Sequence, residues 1–521
     1  MTIWRAACCA ALICLHAVWA ASPANAQDIT LQSRDGSIEI TGTLLGFDGE
    51  FYRVDTEFGE LTVDGSGVNC DGVGCPSLTD YVAEMRISGS STLGRVMMPA
   101  LVEAFARRNG LTATRTTQDD THFIYTLRNA DTGRDVGRFH FRVTNTDEGF
   151  ADLLAGEADM VMALRAVRKT EATRAREAGL GDLTLSNRST VLALDALVPV
   201  VSPGNPVDQI TLSDLLSILT GRETNWAAFG GPDAPITVHL RDAGSGLAQG
   251  MEDKLLAPVD AQIGPAVRHT SNDALATAVA RDPFGLGVAS FAEVGDAKPL
   301  PLAGRCGFAL TAARRSIKTE DYPLTTQAFL YIPARRLPAL ARDFLRYTRS
   351  EAAQIVIRRA GFVDQSPERV PTEIQGNRLA NAITVAEGAD GLGELQRLVT
   401  RMMPMQRLTT SFRFEPGSSR LDAQSRSNVL QLAQALEAGD YDGQTLLFVG
   451  FSDGQGPASA NLNIARKRAE AVRIAVELAA ETADFDRTKL ASDAFGEAMP
   501  MACDDTVWGR EANRRVEVWV R

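Results

Sequence analysis

The sequence predicts a multidomain chain with a small N-terminal β module, an α/β middle and a C-terminal α+β unit. Three observations carry this. Residues 27 to about 80 alternate apolar and polar positions in short runs broken by Asp-Gly pairs, strand-like runs alternate with helical spacing from Met85 to about Phe362, and two helical stretches lie between extended ones near the end.

Residues 1–26 read as an export signal. Arg5 supplies the positive start, an apolar stretch runs from Ala6 to Ala21, and Ala24-Asn25-Ala26 offers small residues for cleavage, so the mature chain is expected to begin near Gln27. Ala11-Leu12-Ile13 lacks the small residues that a lipid-anchoring cleavage at Cys14 would want. After residue 26 no uninterrupted apolar run approaches the roughly 18 residues that a membrane-spanning helix needs. The expected compartment is a periplasm. Losing Arg5 takes the net charge from −12 to −13, which disfavours binding to nucleic acid or to an anionic membrane surface.

Three of the seven cysteines, Cys8, Cys9 and Cys14, leave with the signal. In an oxidising compartment Cys70 and Cys75, joined by Asp-Gly-Val-Gly with two turn-forming glycines, are expected to pair; the alternative, a metal site, lacks further ligands nearby. The partners of Cys306 and Cys503 stay open.

The β module, residues 27–80, rests on Ser37-Ile38-Glu39-Ile40 and Glu60-Leu61-Thr62-Val63, with turns at Asp35-Gly36, Asp48-Gly49 and Asp64-Gly65. The α/β domain is placed at 83–365; its first helix carries Val96, Leu101, Val102 and Phe105 at helical spacing and ends at Gly110. Residues 366–405, mixing Pro, Gly and Asn, are expected to be a linker with one helix from Gly393 to Met402. The last domain, 406–521, is expected to run as an extended Thr409 to Phe414, a helix Ala423 to Ala438, a strand Thr445 to Val449, a helix Asn461 to Glu481 and a strand Arg515 to Val520.

Three helix starts in the middle domain have the composition to hold an anion, because a helix N-terminus exposes unpaired N–H groups and a partial positive charge. They are Ser88-Gly89-Ser90-Ser91-Thr92, Asn145-Thr146-Asp147-Glu148-Gly149 and Gly244-Ser245-Gly246. Taken singly, each is more often an ordinary cap or turn. Their order gains meaning with an apolar run from Val191 to Val201, then Leu219-Thr220-Gly221, Asn225-Trp226, Arg241-Asp242 and Tyr322-Pro323-Leu324.

Together these motifs, over Arg86 to Val363, resemble the PstS-type phosphate-binding proteins of ABC importers. The resemblance implies a two-lobed periplasmic-binding-protein-like fold that closes on its ligand. It implies anion contacts at Ser91, Thr92, Thr146, Arg241, Ser245 and Gly246, with Arg241 adding a bidentate charge. The chain departs from the family pattern at Ala163 and Leu164, where phosphate binders have a serine and an aspartate, and at Leu247, which replaces a hydroxyl residue. Arg165 is a further candidate for positive charge near the cleft.

At the C-terminus a glycine-rich loop, Gly450-Phe451-Ser452-Asp453-Gly454-Gln455-Gly456, follows an apolar strand. Asn461 and Arg468 lie seven residues apart on the next helix, nearly two turns, and so share a face. A carboxylate at Asp453 and a guanidinium at Arg468 suit a ligand with both ammonium and carboxylate, such as the diaminopimelate of a peptidoglycan peptide. The bland reading makes Asp453 a cap and Arg468 a solvated residue. With Phe412 to Leu421, Phe495-Gly496-Glu497, Pro500, and Gly509-Arg510 with Asn513-Arg514-Arg515-Val516-Glu517, this region resembles the OmpA-like peptidoglycan-binding domain. That resemblance assigns Asp453 and Arg468 to diaminopimelate, Asn461 to the loop asparagine, and Arg514 and Arg515 to the terminal arginine motif.

No nucleophile with a base, metal cluster or carboxylate pair stands out: His122, His140, His239 and His269 are scattered, and Ser245 lacks a GxSxG elbow. A non-enzymatic binder without a cofactor is expected, with peptidoglycan and phosphate or a related oxyanion as partners. The resemblance allows the permease of an importer, or another envelope protein, as a further partner, and a place at the outer membrane. The alternative is a structural or sensory envelope protein whose two-lobed domain contacts a partner protein instead of a small ligand.

Overall fold

Alternation of apolar and polar residues builds the N-terminal module. The computed structural model describes residues 28–77, 80–386, 388–415 and 417–521, and the expected export signal lies outside them. Asp28–Ser33, Glu39–Phe47, Phe51–Thr56, Gly59–Asp64 and Val68–Asp71 form an antiparallel sheet in which the first strand lies between the second and the last. Alternate residues Ile29 and Leu31, Tyr52 and Val54 are buried together. Gly36 and Gly49 take positive φ (73° and 94°) in the expected turns. Cys70 and Cys75 are bonded. This module, to Tyr81, is one compact unit, and Val82–Arg521 is another.

In the second unit, Ala83–Ser90 lies between the parallel strands Asp135–Thr144 and Met160–Ala163 and forms the first lobe. Gly89 is required there: at φ +129 a Cβ would come 2.2 Å from the Met162 carbonyl. The second lobe centres on Thr237–Arg241 between Val267–His269 and Gly285–Ser290. Ser189–Val201 joins the lobes. Its first half pairs with Thr325–Tyr331, which also pairs with Met160–Ala163, and its second half pairs with Gly285–Ser290. It is buried continuously from Val191 to Val201, as expected for a strand covered on both faces.

The C-terminal sheet runs Arg369–Val370, Gln406–Phe412, Val516–Val520, Thr445–Phe451, Lys489–Gly496. Successive residues of the central strand point to opposite faces. Leu446 and Phe448 meet the helices Ala423–Glu437 and Ala458–Ala479 through Leu432, Val472 and Val476. Leu447 and Val449 meet Leu395, Leu398 and Met402 on the other side. Those three residues lie in the helix expected from Gly393 to Met402; the rest of the stretch was expected to be a linker, and there the structure differs. Gly376–Val385 and Gly388–Met402 are helices, and they cover a sheet face that would otherwise expose apolar side chains to water. Lys489–Gly496 is a further strand the sequence reading missed.

The C-terminal domain is docked on the two-lobed one. Cys306 bonds to Cys503. Trp508 Nε1 donates to the Lys254 carbonyl (2.6 Å), and Ser411 Oγ donates to the Thr319 carbonyl (2.6 Å). Buried Arg407 grips both oxygens of Asp321 at 2.6 and 3.0 Å.

Candidate functional site

The three helix starts form. Asn145 Oδ1 accepts from Glu148 N (2.9 Å) to cap Thr146–Leu154, and Ser245 Oγ accepts from Ala248 N (3.2 Å) to cap Gly246–Met251. Ser91 and Thr92 begin helical turns after Ala83–Ser90. Thr146 is fully buried, and its hydroxyl accepts from Leu164 N (3.1 Å), leaving its proton free to donate elsewhere.

The candidates come together through residues the sequence reading did not single out. Arg241 Nη1 donates to Asn272 Oδ1 (2.8 Å), and Asn272 Nδ2 donates to Thr92 Oγ1 (3.4 Å) and Glu293 Oε2 (2.5 Å). Asn272 thus links the first-lobe hydroxyls to the second-lobe cation. Thr146 and Gly246 both meet Leu164, against whose side chain a Cβ on Gly246 would come within 2.9 Å. The lobes are latched by Gln249 Nε2 donating to Asp147 Oδ2 (2.8 Å) and by an Arg168–Asp253 ion pair (3.1 Å).

Arg241 is 7% exposed, and its Nε donates to the His269 carbonyl (3.0 Å). It forms no ion pair among the described residues. Burial above all pulls its proton affinity below the ordinary arginine value, Arg95 adds to this, and Asp242 and Glu293 oppose it. A buried guanidinium without a counter-ion is an unfavourable arrangement that a bound anion relieves. Arg165 is different. It is ion-paired to Glu171 (2.7 Å) and to Asp147, and so adds no free charge to the cleft.

In the C-terminal domain, Asp453 follows the strand Thr445–Phe451 and pairs with Arg514 Nη1 (2.5 Å). Asn461 Nδ2 donates to Glu497 Oε2 (3.1 Å). A Cβ on Gly450 would come 2.0 Å from the Ala465 carbonyl, so helix Ala458–Ala479 lies directly on this strand and presents Arg468 one turn later. Arg468 forms no ion pair among the described residues, and its Cζ lies 5.0 Å from the Phe414 ring centroid. Burial, then Arg514, lower its proton affinity, and Asp453 opposes them.

Arg515 corrects the sequence-based assignment. It is 0% exposed, donating to Glu517 (2.7 Å), the Asn513 carbonyl (3.3 Å) and the Met499 carbonyl (2.8 Å), and it stacks over Phe451. With no exposed surface, Arg515 cannot meet a ligand from solvent, so it shapes the loop while Arg514 meets Asp453.

Two lobes joined by paired crossover strands, with a buried cation between them, define a bilobal binding protein carrying an appended α+β domain. Residues 76–352, more than half of the chain, match the PBP superfamily domain, and residues 413–514 match the OmpA family. The chain belongs to the PBP superfamily and ends in an OmpA-family domain. Protein SphX of Synechococcus elongatus is 27% identical over 266 residues, spanning 48% of this chain and 76% of that protein. Phosphate-binding protein PstS of Borreliella burgdorferi is 42% identical over 69 residues, spanning 13% of this chain and 25% of that protein. An ABC-type phosphate transport receptor from Vibrio cholerae aligns over 54% of this chain and 99% of its own, at 24% identity and a TM-score of 0.41.

Proposed function

We propose that this protein is a non-enzymatic periplasmic binder with two heads. The two-lobed domain holds phosphate or a similar oxyanion, and the OmpA-like domain attaches the chain non-covalently to peptidoglycan. The carrying observation is Arg241, a buried guanidinium with no counter-ion between two lobes whose facing helix starts offer N–H and hydroxyl donors. Ser91, Thr92, Thr146, Ser245 and the Gly246 N–H complete the anion shell. In the other domain Arg468 takes a carboxylate of the wall peptide, with Asp453, Asn461 and Arg514 shaping the loop around it. The phosphate-binding relative and the OmpA-family match support both halves.

Calorimetric titration of the chain from Gln27 onward with phosphate and sulfate tests the first half. Arg241→Ala is expected to weaken binding roughly a hundredfold or more, the range for truncating one partner of a buried charge pair; equal heats in the two proteins would remove the cleft assignment. Pelleting with purified peptidoglycan tests the second half. Arg468→Ala is expected to weaken retention by roughly tenfold or more, and undiminished pelleting would count against the wall pocket.

A second reading has one specific observation in its favour. Leu164 replaces the family's aspartate and packs into the space beside Gly246, which suits a cleft that has given up its small ligand and contacts a partner protein. Absence of heat with every oxyanion is the result that reading requires.

A further inference from the structure

A cavity of about 230 Å³ lies between the two docked domains, walled by Lys254, Glu320 and Tyr322 on one side and by Phe414, Arg468 and Arg514 on the other. It is smaller than the roughly 300–1,000 Å³ usual for a whole small-molecule ligand, a size that suits the end of a peptide. Arg468, assigned above to the wall peptide, therefore faces a space that the two-lobed domain helps to enclose.

Glu320 is the unusual member. It is 9% exposed; its Oε1 accepts from Gln327 Nε2 (3.0 Å), while Oε2 has no hydrogen-bond partner. A buried carboxylate oxygen left unpaired is unfavourable unless something else meets it. Its backbone sits at φ +53, in the left-handed region that a non-glycine residue rarely adopts. It ends the helix Arg314–Lys318, its N–H donating to the Ile317 carbonyl (2.9 Å); its own carbonyl accepts from Arg413 Nη2 (2.7 Å), and the next residue, Asp321, is gripped by Arg407. Burial, then Asp422, push its carboxyl up to about 7, while Arg413 and Lys254 oppose the rise.

The cavity thus offers an unpaired carboxylate at Glu320 and cations at Arg468 and Lys254 that form no ion pair among the described residues. Asp453 Oδ2 is engaged by Arg514 Nη1 (2.5 Å). The complementary ligand is a peptide end carrying both carboxylate and ammonium groups.

We propose that Glu320 of the two-lobed domain completes the wall-peptide pocket of the OmpA-like domain by accepting the ligand's ammonium, so that both domains read one stem peptide. This rests on the assignment of Arg468 to the wall peptide.

The test is calorimetric titration of the chain from Gln27 onward with a stem tripeptide blocked at its N-terminus and ending in diaminopimelate, and with the same peptide also acetylated on the diaminopimelate side-chain ammonium. Wild type is expected to bind the free peptide about tenfold more tightly than the acetylated one. Glu320→Gln is expected to lose that preference, binding both peptides like the acetylated one, and Arg468→Ala to lose both. Equal binding of the two peptides by wild type, or an unchanged preference in Glu320→Gln, overturns the role of Glu320 while leaving the wall assignment standing, provided that Arg468→Ala still abolishes binding. Failure of wild type to bind either peptide, or undiminished binding by Arg468→Ala, overturns both.

Discussion

Arg407→Ala is expected to destabilise the Val82–Arg521 unit by roughly 3–5 kcal/mol, the range for breaking a buried ion pair by removing one partner. The side chain is 2% exposed, holds both Asp321 oxygens and brings Nε within 3.3 Å of Glu517. Alanine would leave Asp321 buried with Arg413 3.7 Å away as its nearest remaining cation. Glu517 would keep Arg378 (2.5 Å) and Arg515 (2.7 Å). The denaturant midpoint reads the effect, and a loss under about 1 kcal/mol would place this pair among weak surface bridges. Burial opposes ionisation of Asp321 and Glu517, but the arginines around them outweigh it and hold both carboxyls below their ordinary values. Their contribution is present in full above the unfolded carboxylate range near pH 4 and is lost as pH falls through the lowered folded values. Arg407→Ala is expected to flatten that acid limb.

The second large effect is expected from Cys306→Ser combined with Cys503→Ser. The bridge closes a loop of 197 residues, and in the chain-entropy view a loop of this length restricts the unfolded ensemble by roughly 5 kcal/mol, with observed losses for native disulfides of about 2–5. A loss of roughly 3–5 kcal/mol is therefore expected in denaturant unfolding under oxidising conditions. The same variant is expected to weaken stem-peptide binding, because the bridge pins the OmpA-like loop against the domain that supplies Glu320. Unchanged stability would show that the docked interface holds the domains together without it.

Local chemistry was legible in the sequence. The helix starts at Thr146 and Gly246 could be read because Asn145 and Ser245 each accept from an N–H three residues on, a contact that spacing alone specifies. Their convergence was not legible, since Asn272 lies 180 residues from Thr92 and reaches it through the fold. The helix expected from Gly393 to Met402 formed and starts five residues earlier, whereas Gly376–Val385 was missed, since Gly376, Gly388 and Gly391 break the helical pattern. The signal that could have revealed it was the unbroken apolar run Leu446 to Val449, a strand that needs cover on both faces. Arg514 and Arg515 show the limit of motif transfer. Arg514 caps the helix Val507–Asn513 and reaches Asp453, while Arg515 leads into the strand Val516–Val520 and turns inward to Glu517, a division that is set by tertiary packing. Glu320 lay in no motif; its left-handed backbone ends the helix Arg314–Lys318, and its burial against the C-terminal domain is tertiary.

Whether one molecule holds an oxyanion while fixed to the wall is answered most directly by sedimenting peptidoglycan with the chain from Gln27 onward and radiolabelled phosphate. Label is expected to pellet in proportion to protein. With Arg241→Ala the protein is expected to pellet without label, and with Arg468→Ala both are expected to stay in solution. Wild-type protein that pellets with no bound oxyanion, or that holds phosphate but stays in the supernatant, would contradict the two-headed binder.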